Sequence, residues 1–479
     1  MLFYGWAAGP ASIAAGELLV TGATEIAPPR PPAPQGELPL LGFLRAIRTN
    51  ALTMWTEAAY EEDVLVRRLV GRSTMLLNAP EAIRRILVDN PGNYRRSPAS
   101  VRILRPMTGM GLLLSEGDDW RLQRRTIAPA LAPRNMQLLA RHIVTCTQEA
   151  LAALAAQAGA PVDLLAAMQN LALTIAGRSM FSLEMRQYGA AMRRRLTEYG
   201  RRYAHPRLLD MVLPPSIPTP LDLRRRLFQR SWMRLVEEIM RARQAAPPAE
   251  TPRDLFDLLL GARDPESGEG FSPSQLRDQI ATMILAGHET TAVALFWSLV
   301  LLAGAPHEQQ RVADEVRRFE IAPDTAMDVL PLLVRTRAVV SEALRLYPPA
   351  FALARQAIGP DRAGAIDIPR GSILLIAPWV LGRHRRLWRD PDAFDPSRFL
   401  PGAPPVERFA YMPFGAGPRV CVGAQFALTE AALALAMLIR RFDVSLAEAP
   451  PMPVAVVTTQ PDHAPAFRLR VREMFGPRA

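Results

Sequence analysis

The sequence contains no lysine, six histidines and two cysteines. Two cysteines cannot build the disulfide framework of a secreted scaffold, and no charged n-region with a small-residue cleavage site opens the chain, so we expect a reducing, cytoplasmic location. Glycine, proline and glutamate interrupt residues 1–20, whereas a membrane span needs ~20 mainly apolar residues. We therefore expect no transmembrane segment there.

With lysine absent, arginine alone carries the positive charge: 57 basic residues stand against 46 acidic ones, a net charge of +11. Codon bias is the ordinary explanation. A basic surface would nevertheless attract an acidic partner or an anionic membrane, which allows peripheral membrane contact. The arginines occur in short scattered clusters without aromatic interleaving or a known module, so we expect no nucleic-acid binding.

The hydrophobic fraction of 49% and the mean hydropathy of +0.04 are typical of a folded, soluble chain. Strand patterns lie near both ends, at 64–77 and at 366–377 and 454–459, and helical patterns fill most of the region between them. This order predicts a mainly α (α+β) fold with a sheet built from distant segments. We expect a flexible arm with a proline-rich spacer at 1–37 and a single domain at 38–479. Predicted helices are 80–89, 134–156, 164–181, 227–243, 306–319, 336–347 and 425–441.

The longest predicted helix runs from about Ser272 to Gly304. Ser272 and Gln275 form a capping box around Pro273, and the helix would span roughly 45 Å. Its second half is apolar on nearly every face, which is typical of a buried core helix or of a membrane span. A polar cluster in its middle would be costly in a bilayer and favours a core helix beside a functional cavity: Gly287, His288, Glu289, Thr290 and Thr291.

Cys421 lies in a glycine-rich loop before the last predicted helix. Glycine allows sharp turns and close backbone approach, so amide groups can stabilise a thiolate, and Arg419 adds a positive charge. A thiolate presented in this way suits a nucleophile or an axial haem ligand, and no His/Asn pairing supports the nucleophile. Cys146, within a helix, fits an inert core cysteine.

The loop resembles a known signature. Phe414, Gly417, Arg419, Cys421 and Gly423 fill every fixed place of Phe-x-x-Gly-x-Arg-x-Cys-x-Gly, the haem-binding motif of the cytochrome P-450 family. The resemblance implies that Cys421 is the axial ligand of haem b, that O2 is the cosubstrate, and that the fold is a helix-rich prism with a long central helix and small β-sheets.

Three further segments resemble family motifs in the expected order. Residues 286–291 are similar to the oxygen-activating segment of the central helix. Glu342-x-x-Arg345 with Arg398 resembles a buried ion network, although alone the first pair would be a surface ion pair worth a few tenths of a kcal/mol. Trp120 and Arg124 resemble the tryptophan and arginine of a family helix that contact a haem propionate.

The resemblance assigns the remaining roles by position. Cleavage of the O–O bond of dioxygen needs two protons, which a hydroxyl beside a carboxylate can deliver; the threonines could equally kink the helix. The implied catalytic residues are Ala286, Gly287, Glu289 and Thr290. The implied cofactor-binding residues are Trp120, Arg124, Arg355, Phe414, Gly415, Arg419, Cys421 and Gly423, with His384 a weaker candidate. The implied substrate pocket contains Leu113, Leu114, Ala286, Phe351, Leu353 and Thr458.

We therefore expect a haem-thiolate monooxygenase that hydroxylates or epoxidises a lipophilic small molecule. Because no flavin or nicotinamide domain is evident, a ferredoxin or flavodoxin with its reductase would supply the electrons. We expect a monomer whose docking patch contains Arg121, Arg124, Arg125, Arg134, Arg335, Arg337 and Arg408. Two alternatives remain, a peroxide-driven or isomerising haem-thiolate enzyme and a non-catalytic haem sensor.

Overall fold

In the computed structural model, the described residues are 20–21, 25–69, 71–182, 186–245, 247 and 250–473. Helices dominate them and strands are short, so the predicted mainly α (α+β) class is confirmed. The helices are α1 (Leu40–Thr49), α2 (Pro80–Arg84), α3 (Pro98–Thr108), α4 (Gly117–Ile127), α5 (Met136–Ala155), α6 (Leu164–Phe181), α7 (Arg186–Arg202), α8 (Leu208–Val212), α9 (Pro220–Gln244), α10 (Leu255–Leu260), α11 (Pro273–Ala303), α12 (Pro306–Val316), α13 (Ala326–Val329), α14 (Val334–Leu346), α15 (Pro378–Leu381) and α16 (Ala424–Arg441).

The strands confirm that the main sheet joins distant parts of the chain. They are β1 (Val20–Thr21), β2 (Glu25–Ile26), β3 (Val64–Leu69), β4 (Arg72–Leu77), β5 (Tyr94–Arg96), β6 (Pro161–Asp163), β7 (Leu353–Ala357), β8 (Asp361–Ala363), β9 (Ile366–Ile368), β10 (Ile373–Ile376), β11 (Phe442–Leu446), β12 (Pro453–Ala455), β13 (Thr459–Pro461) and β14 (Ala466–Val471). The largest sheet has the order β3-β4-β10-β7-β5, in which only β4 and β10 are parallel. A second sheet is β11-β14-β6, and the other strands form pairs.

Helix α11 crosses the core, as the sequence predicts. Ser272 Oγ accepts from the Gln275 N–H at 3.3 Å, and Gln275 Oε1 accepts from the Ser272 N–H at 2.9 Å, which completes the capping box. Residues 291–302 are buried against α6, α14 and α16. By length and composition α11 could cross a membrane, yet 72% of its most apolar window is buried within the protein. This burial identifies a core helix.

Two predicted elements differ in the structure. The strand predicted at 454–459 is instead the pair β12–β13, because Thr459 turns inward and bonds to the carbonyl oxygens of Pro348 and Pro349. The helix predicted from residue 227 begins at Pro220, where Thr219 and Asp222 form a capping box. The arginine-rich first turns hid this start, since they lack an apolar periodicity.

The proline-rich segment packs on the body of the protein. Pro28 is buried, the Tyr347 hydroxyl donates to the Pro29 carbonyl at 2.9 Å, and Arg30 pairs with Asp392 at 3.3 Å. Residues 28–30 of the expected proline-rich spacer therefore contact the body of the protein. Residues 1–19, the first part of the expected arm, lie outside the described residues.

Candidate active site

The cysteine loop is closed by its own backbone. The Cys421 N–H donates to the Phe414 carbonyl at 2.9 Å, and the loop turns at Gly415 and Gly417, whose φ angles are +73° and +74°. A Cβ atom at Gly417 would lie 1.8 Å from the carbonyl oxygen of Leu87, in the π-helical segment Arg85–Asp89 that continues α2. Glycine is therefore required at 417 both by its backbone conformation and by space.

Cys421 is an exposed residue although its loop lies against the core. Cys421 is exposed, whereas Cys146 is 2% exposed. Apolar surroundings raise the pKa of the Cys421 thiol, while the Gly423 N–H and the Arg124 guanidinium act in the opposite direction. A bound metal ion would remove this proton outright. Cys421 is therefore presented as a metal ligand, and Cys146 is not.

Three arginines converge beside the loop. Arg96 on β5 lies opposite Arg355 on β7, and both are close enough to Arg419 for mutual repulsion. Burial, followed by this repulsion, lowers the pKa of Arg96 to about 9 and that of Arg355 to about 10. Among the described residues Glu116 is the one carboxylate that pairs with the group, through Arg419. The cluster therefore has an excess of positive charge.

Unused hydrogen-bond donors show where the compensating charge belongs. Arg96 Nε and Arg419 Nη1 are buried and have no partner among the described residues. Arg355 donates only to the Ala354 carbonyl, at 3.1 Å. Buried guanidinium donors normally have partners. The donor set fits a dianionic group such as the two propionates of haem.

Helix α4 supports this cluster from the other side. The Arg419 guanidinium stacks 4.5 Å from the ring centroid of Trp120. Arg124 Nη1 donates to the Val420 carbonyl at 2.8 Å and so fixes the residue before Cys421. The structure thus brings Trp120, Arg124, Arg355 and Arg419 together around the cysteine loop. His384 is buried elsewhere, with Nε2 3.3 Å from the Glu62 carbonyl oxygen.

The middle of α11 is less buried than its C-terminal half. Ala286 is exposed although residues 291–302 of the same helix are buried. Leu285 and Val422, which neighbour Ala286 and Cys421 in the chain, pack on the same apolar cluster. The exposed Cys421, the exposed Ala286 and the arginine cluster could together hold a haem, in which Cys421 would bind the iron and the arginines would bind the propionates.

The polar residues of α11 point in different directions. The Thr290 hydroxyl donates to the Ala286 carbonyl at 2.6 Å. Glu289 Oε1 accepts from the Thr458 hydroxyl and from Gln460 Nε2, each at 2.8 Å, and burial raises the pKa of Glu289. His288 is buried next to α6, and burial lowers its pKa to about 4. His288 therefore belongs to the core.

The candidates for the substrate pocket lie in segments near α11 and the cysteine loop. Leu113 is half-buried and Leu114 is buried, in a loop tied to α11 by the Leu112 N–H, which donates to Gln279 at 2.9 Å. Half-buried Leu353 lies 3.8 Å from the position that a Gly415 Cβ would occupy, and Phe351 is half-buried at the core edge. The hydroxyl of Thr458, however, is used by Glu289.

The predicted ion network is assembled and buried. Both Glu342 and Arg345 are fully buried, and Nη2 and Nε of the arginine each donate to the carboxylate at 2.6 Å. Arg398 Nε lies 3.6 Å from the same carboxylate. Arg345 also donates to the carbonyls of Gly382, Pro391 and Ala393. The network therefore fixes the segments that precede the cysteine loop.

Sequence reasoning missed Arg96 and Gln460. Arg96 belongs to a pair of arginines in a short segment after a turn, which is typical of solvated positions. Its role follows from the pairing of β5 with β7. Gln460 directly follows the predicted strand 454–459. The bend at 456–458, between β12 and β13, directs it toward α11. No local signal distinguishes either residue.

Comparison with known proteins gives a consistent assignment. The family described as Cytochrome P-450 matches residues 31–463. The chain is 30% identical over 430 residues to the cyclooctat-9-en-7-ol 5-monooxygenase of Streptomyces melanosporofaciens, covering 88% of this chain and 92% of that protein. It is 32% identical over 406 residues to a cytokinin hydroxylase of Arabidopsis thaliana, covering 81% and 77%. The crystal structure of the cytochrome P-450DA heme domain matches with a TM-score of 0.78 and 25% identity, over 92% and 98% of the chains.

The chain therefore belongs to the cytochrome P-450 family. It is a monooxygenase with haem b as cofactor and O2 as cosubstrate.

Proposed function

We propose that this cytochrome P-450 hydroxylates or epoxidises a lipophilic small molecule, with electrons from an external ferredoxin or flavodoxin and its reductase. The observation that carries the proposal is the combination of an exposed Cys421 with three arginines that share one carboxylate among the described residues, together with the exposed Ala286 of α11. When bound there, haem supplies the activation of O2.

The substrate class follows from the residues of the expected substrate pocket. Leu113, Leu353 and Phe351 are half-buried and Ala286 is exposed. Such a lining gains free energy mainly by excluding water from an apolar ligand, about 25 cal/mol per Å². The two relatives are named for different substrates, cyclooctat-9-en-7-ol and cytokinin. They support the reaction type and leave the individual substrate to experiment.

We assign the delivery of protons to Thr290 and Glu289. The Thr290 hydroxyl donates its hydrogen bond to the Ala286 carbonyl. Its oxygen can therefore accept a hydrogen bond from a water molecule. Burial raises the pKa of Glu289, which shifts its carboxyl toward the protonated form that can act as a donor. The two side chains would thus hold the water and replenish its proton.

The basic docking patch needs one revision. Arg125 makes a two-pronged bond to Asp264, at 2.8 and 3.1 Å, and it also pairs with Glu266. Arg125 is thus a structural residue and a poor docking probe. The arginines of the expected patch that are exposed are Arg121, Arg134, Arg337 and Arg408. We propose that these attract an acidic electron donor.

We further propose that residues 38–479 form a single catalytic domain that is monomeric and cytoplasmic. The continuous core formed by α5, α6, α11, α14 and α16 supports one domain. The basic surface remains compatible with peripheral contact to an anionic membrane.

The test begins with a screen of lipophilic compounds for shifts of the haem Soret band. A compound that binds is then incubated under ¹⁸O2 with a ferredoxin, its reductase and a nicotinamide donor. We expect a product with one ¹⁸O atom, and no product without the electron donor. Product formed only with added peroxide would favour the peroxide-driven alternative. Soret shifts without product under either condition would favour the haem sensor.

A further inference from the structure

The C-terminal strand pair β12–β13 reaches into the region of the proposed proton donor. Thr459 anchors it: its side chain donates to the Pro348 carbonyl at 2.7 Å, and its own carbonyl accepts from Trp297 Nε1 of α11 at 2.9 Å. Thr458 and Gln460 flank this anchor. The strand pair is therefore docked along α11 at the turn that carries Glu289.

Thr458 and Gln460 form a small hydrogen-bonded group with Glu289. Both donate to the same oxygen, Oε1, at 2.8 Å, and Gln460 Nε2 lies 3.0 Å from Thr458 Oγ1. The second oxygen, Oε2, accepts no hydrogen bond from the described residues and is not among their fully buried unpartnered atoms. One oxygen is thus held by two donors, while the other has no donor among the described residues.

We infer that Thr458 and Gln460 are positioning residues for Glu289, holding one carboxyl oxygen so that the other exchanges the protons used in O–O bond cleavage. The inference deepens the proposed function and rests on it. It assigns to the β12–β13 pair a role in proton supply, where sequence analysis placed only a substrate contact, at Thr458.

Among the described residues, Thr458 and Gln460 are the groups that favour the ionised form of Glu289. No ion pair to Glu289 occurs among the described residues, and its pKa reflects burial opposed by the two hydrogen bonds. The charged groups at the end of β13, Asp462 and His463, pair with each other at 2.7 Å. His288, next in the chain, is directed toward α6 and kept neutral by burial.

Each donor stabilises the ionised carboxylate more than the protonated acid. A hydrogen bond to a charged group contributes more than one to a neutral group, so losing either donor should raise the pKa of Glu289 further. The pKa of Glu289 should rise rather than fall, because removal of a donor favours the protonated form. Thr458→Val and Gln460→Leu remove one donor each, and Thr458→Ser retains the hydroxyl.

The experiment is an infrared pH titration of the carboxyl band in the full-length, haem-loaded resting protein. Glu289→Gln identifies the band by its loss. We expect the titration midpoint to rise in Thr458→Val and Gln460→Leu and to stay near wild type in Thr458→Ser. Thermal unfolding of each variant separates this effect from loss of fold, since a general loosening would admit water and lower the midpoint.

A second readout addresses proton delivery. The solvent deuterium isotope effect on turnover should increase in Thr458→Val and recover in Thr458→Ser. An unshifted carboxyl midpoint in both donor-removing variants would overturn the inference. The titration needs no turnover, so its result can be interpreted even if the ¹⁸O2 experiment yields no product. Failure of this inference and failure of the proposed function are therefore recognised separately.

Discussion

Replacement of Arg96 by methionine should move haem affinity and the stability of the haem-free protein in opposite directions. Arg96 is one of three arginines that share a single carboxylate, and its buried Nε has no partner among the described residues. A pKa of about 9 instead of 12.5 means that its charge costs a few kcal/mol in the site, at about 1.4 kcal/mol per pKa unit. Arg96→Met removes that cost, so the haem-free protein should unfold at a higher temperature.

The haem-bound protein should respond in the opposite way. A charge-assisted hydrogen bond to a propionate contributes about 1.5–3 kcal/mol, so its loss should weaken haem binding roughly 10- to 150-fold. Transfer of haem to an excess of apomyoglobin measures the release rate, and differential scanning of the haem-free protein measures stability. Arg95→Met is the matched control, because the adjacent Arg95 is exposed and bonds to Gln356 at 3.0–3.1 Å. Unchanged haem release in Arg96→Met, or an equal loss of stability without haem, would refute the reasoning.

Two further predictions concern ligation and electron supply. Cys421→Ser should abolish the red-shifted absorption of the reduced carbonyl complex that is peculiar to thiolate haem, and Cys146→Ser, within α5, should leave it in place; the opposite pattern would reassign the ligand. Arg408→Glu should slow reduction by an acidic ferredoxin at low ionic strength and reduce its dependence on salt, since exposed charges are screened over ~8–10 Å near physiological salt. Arg230→Glu, an exposed change on α9, should behave as wild type, and equal rates in Arg408→Glu would remove Arg408 from the patch.

Periodicity and motifs were sufficient for the parts of the molecule that local sequence determines. Helix α6 has the predicted bounds and α11 has its predicted cap, because apolar spacing and capping residues act within a few positions. The signature around Cys421 likewise lies in one short stretch. The clustering of Glu342, Arg345 and Arg398 could be expected only from resemblance, since their contact depends on how distant segments pack.

The positions that could not be predicted depend on tertiary pairing. Arg96 has the same local character as exposed Arg95, and strand alternation directs one of them inward only after β5 has joined β7. Gln460 gains its role from the bend between β12 and β13. Arg125 looked like a free surface charge because Asp264, its partner, lies 139 residues away in the sequence.

The order of strands in the largest sheet sets when this protein can acquire its cofactor. Strand β4 pairs with β10, and Arg96 on β5 lies opposite Arg355 on β7. Strands β4 and β5 can therefore pair with these partners only after about three hundred further residues have been made. At about 5–20 residues per second, translation needs tens of seconds to supply them. During that time the β3–β4 hairpin has an open edge, which favours aggregation. The Leu87 carbonyl also packs against Gly417, which is made about three hundred residues later. Haem can therefore be captured only after the cysteine loop has been made, and slower translation with abundant chaperones should raise the fraction of chains that acquire it.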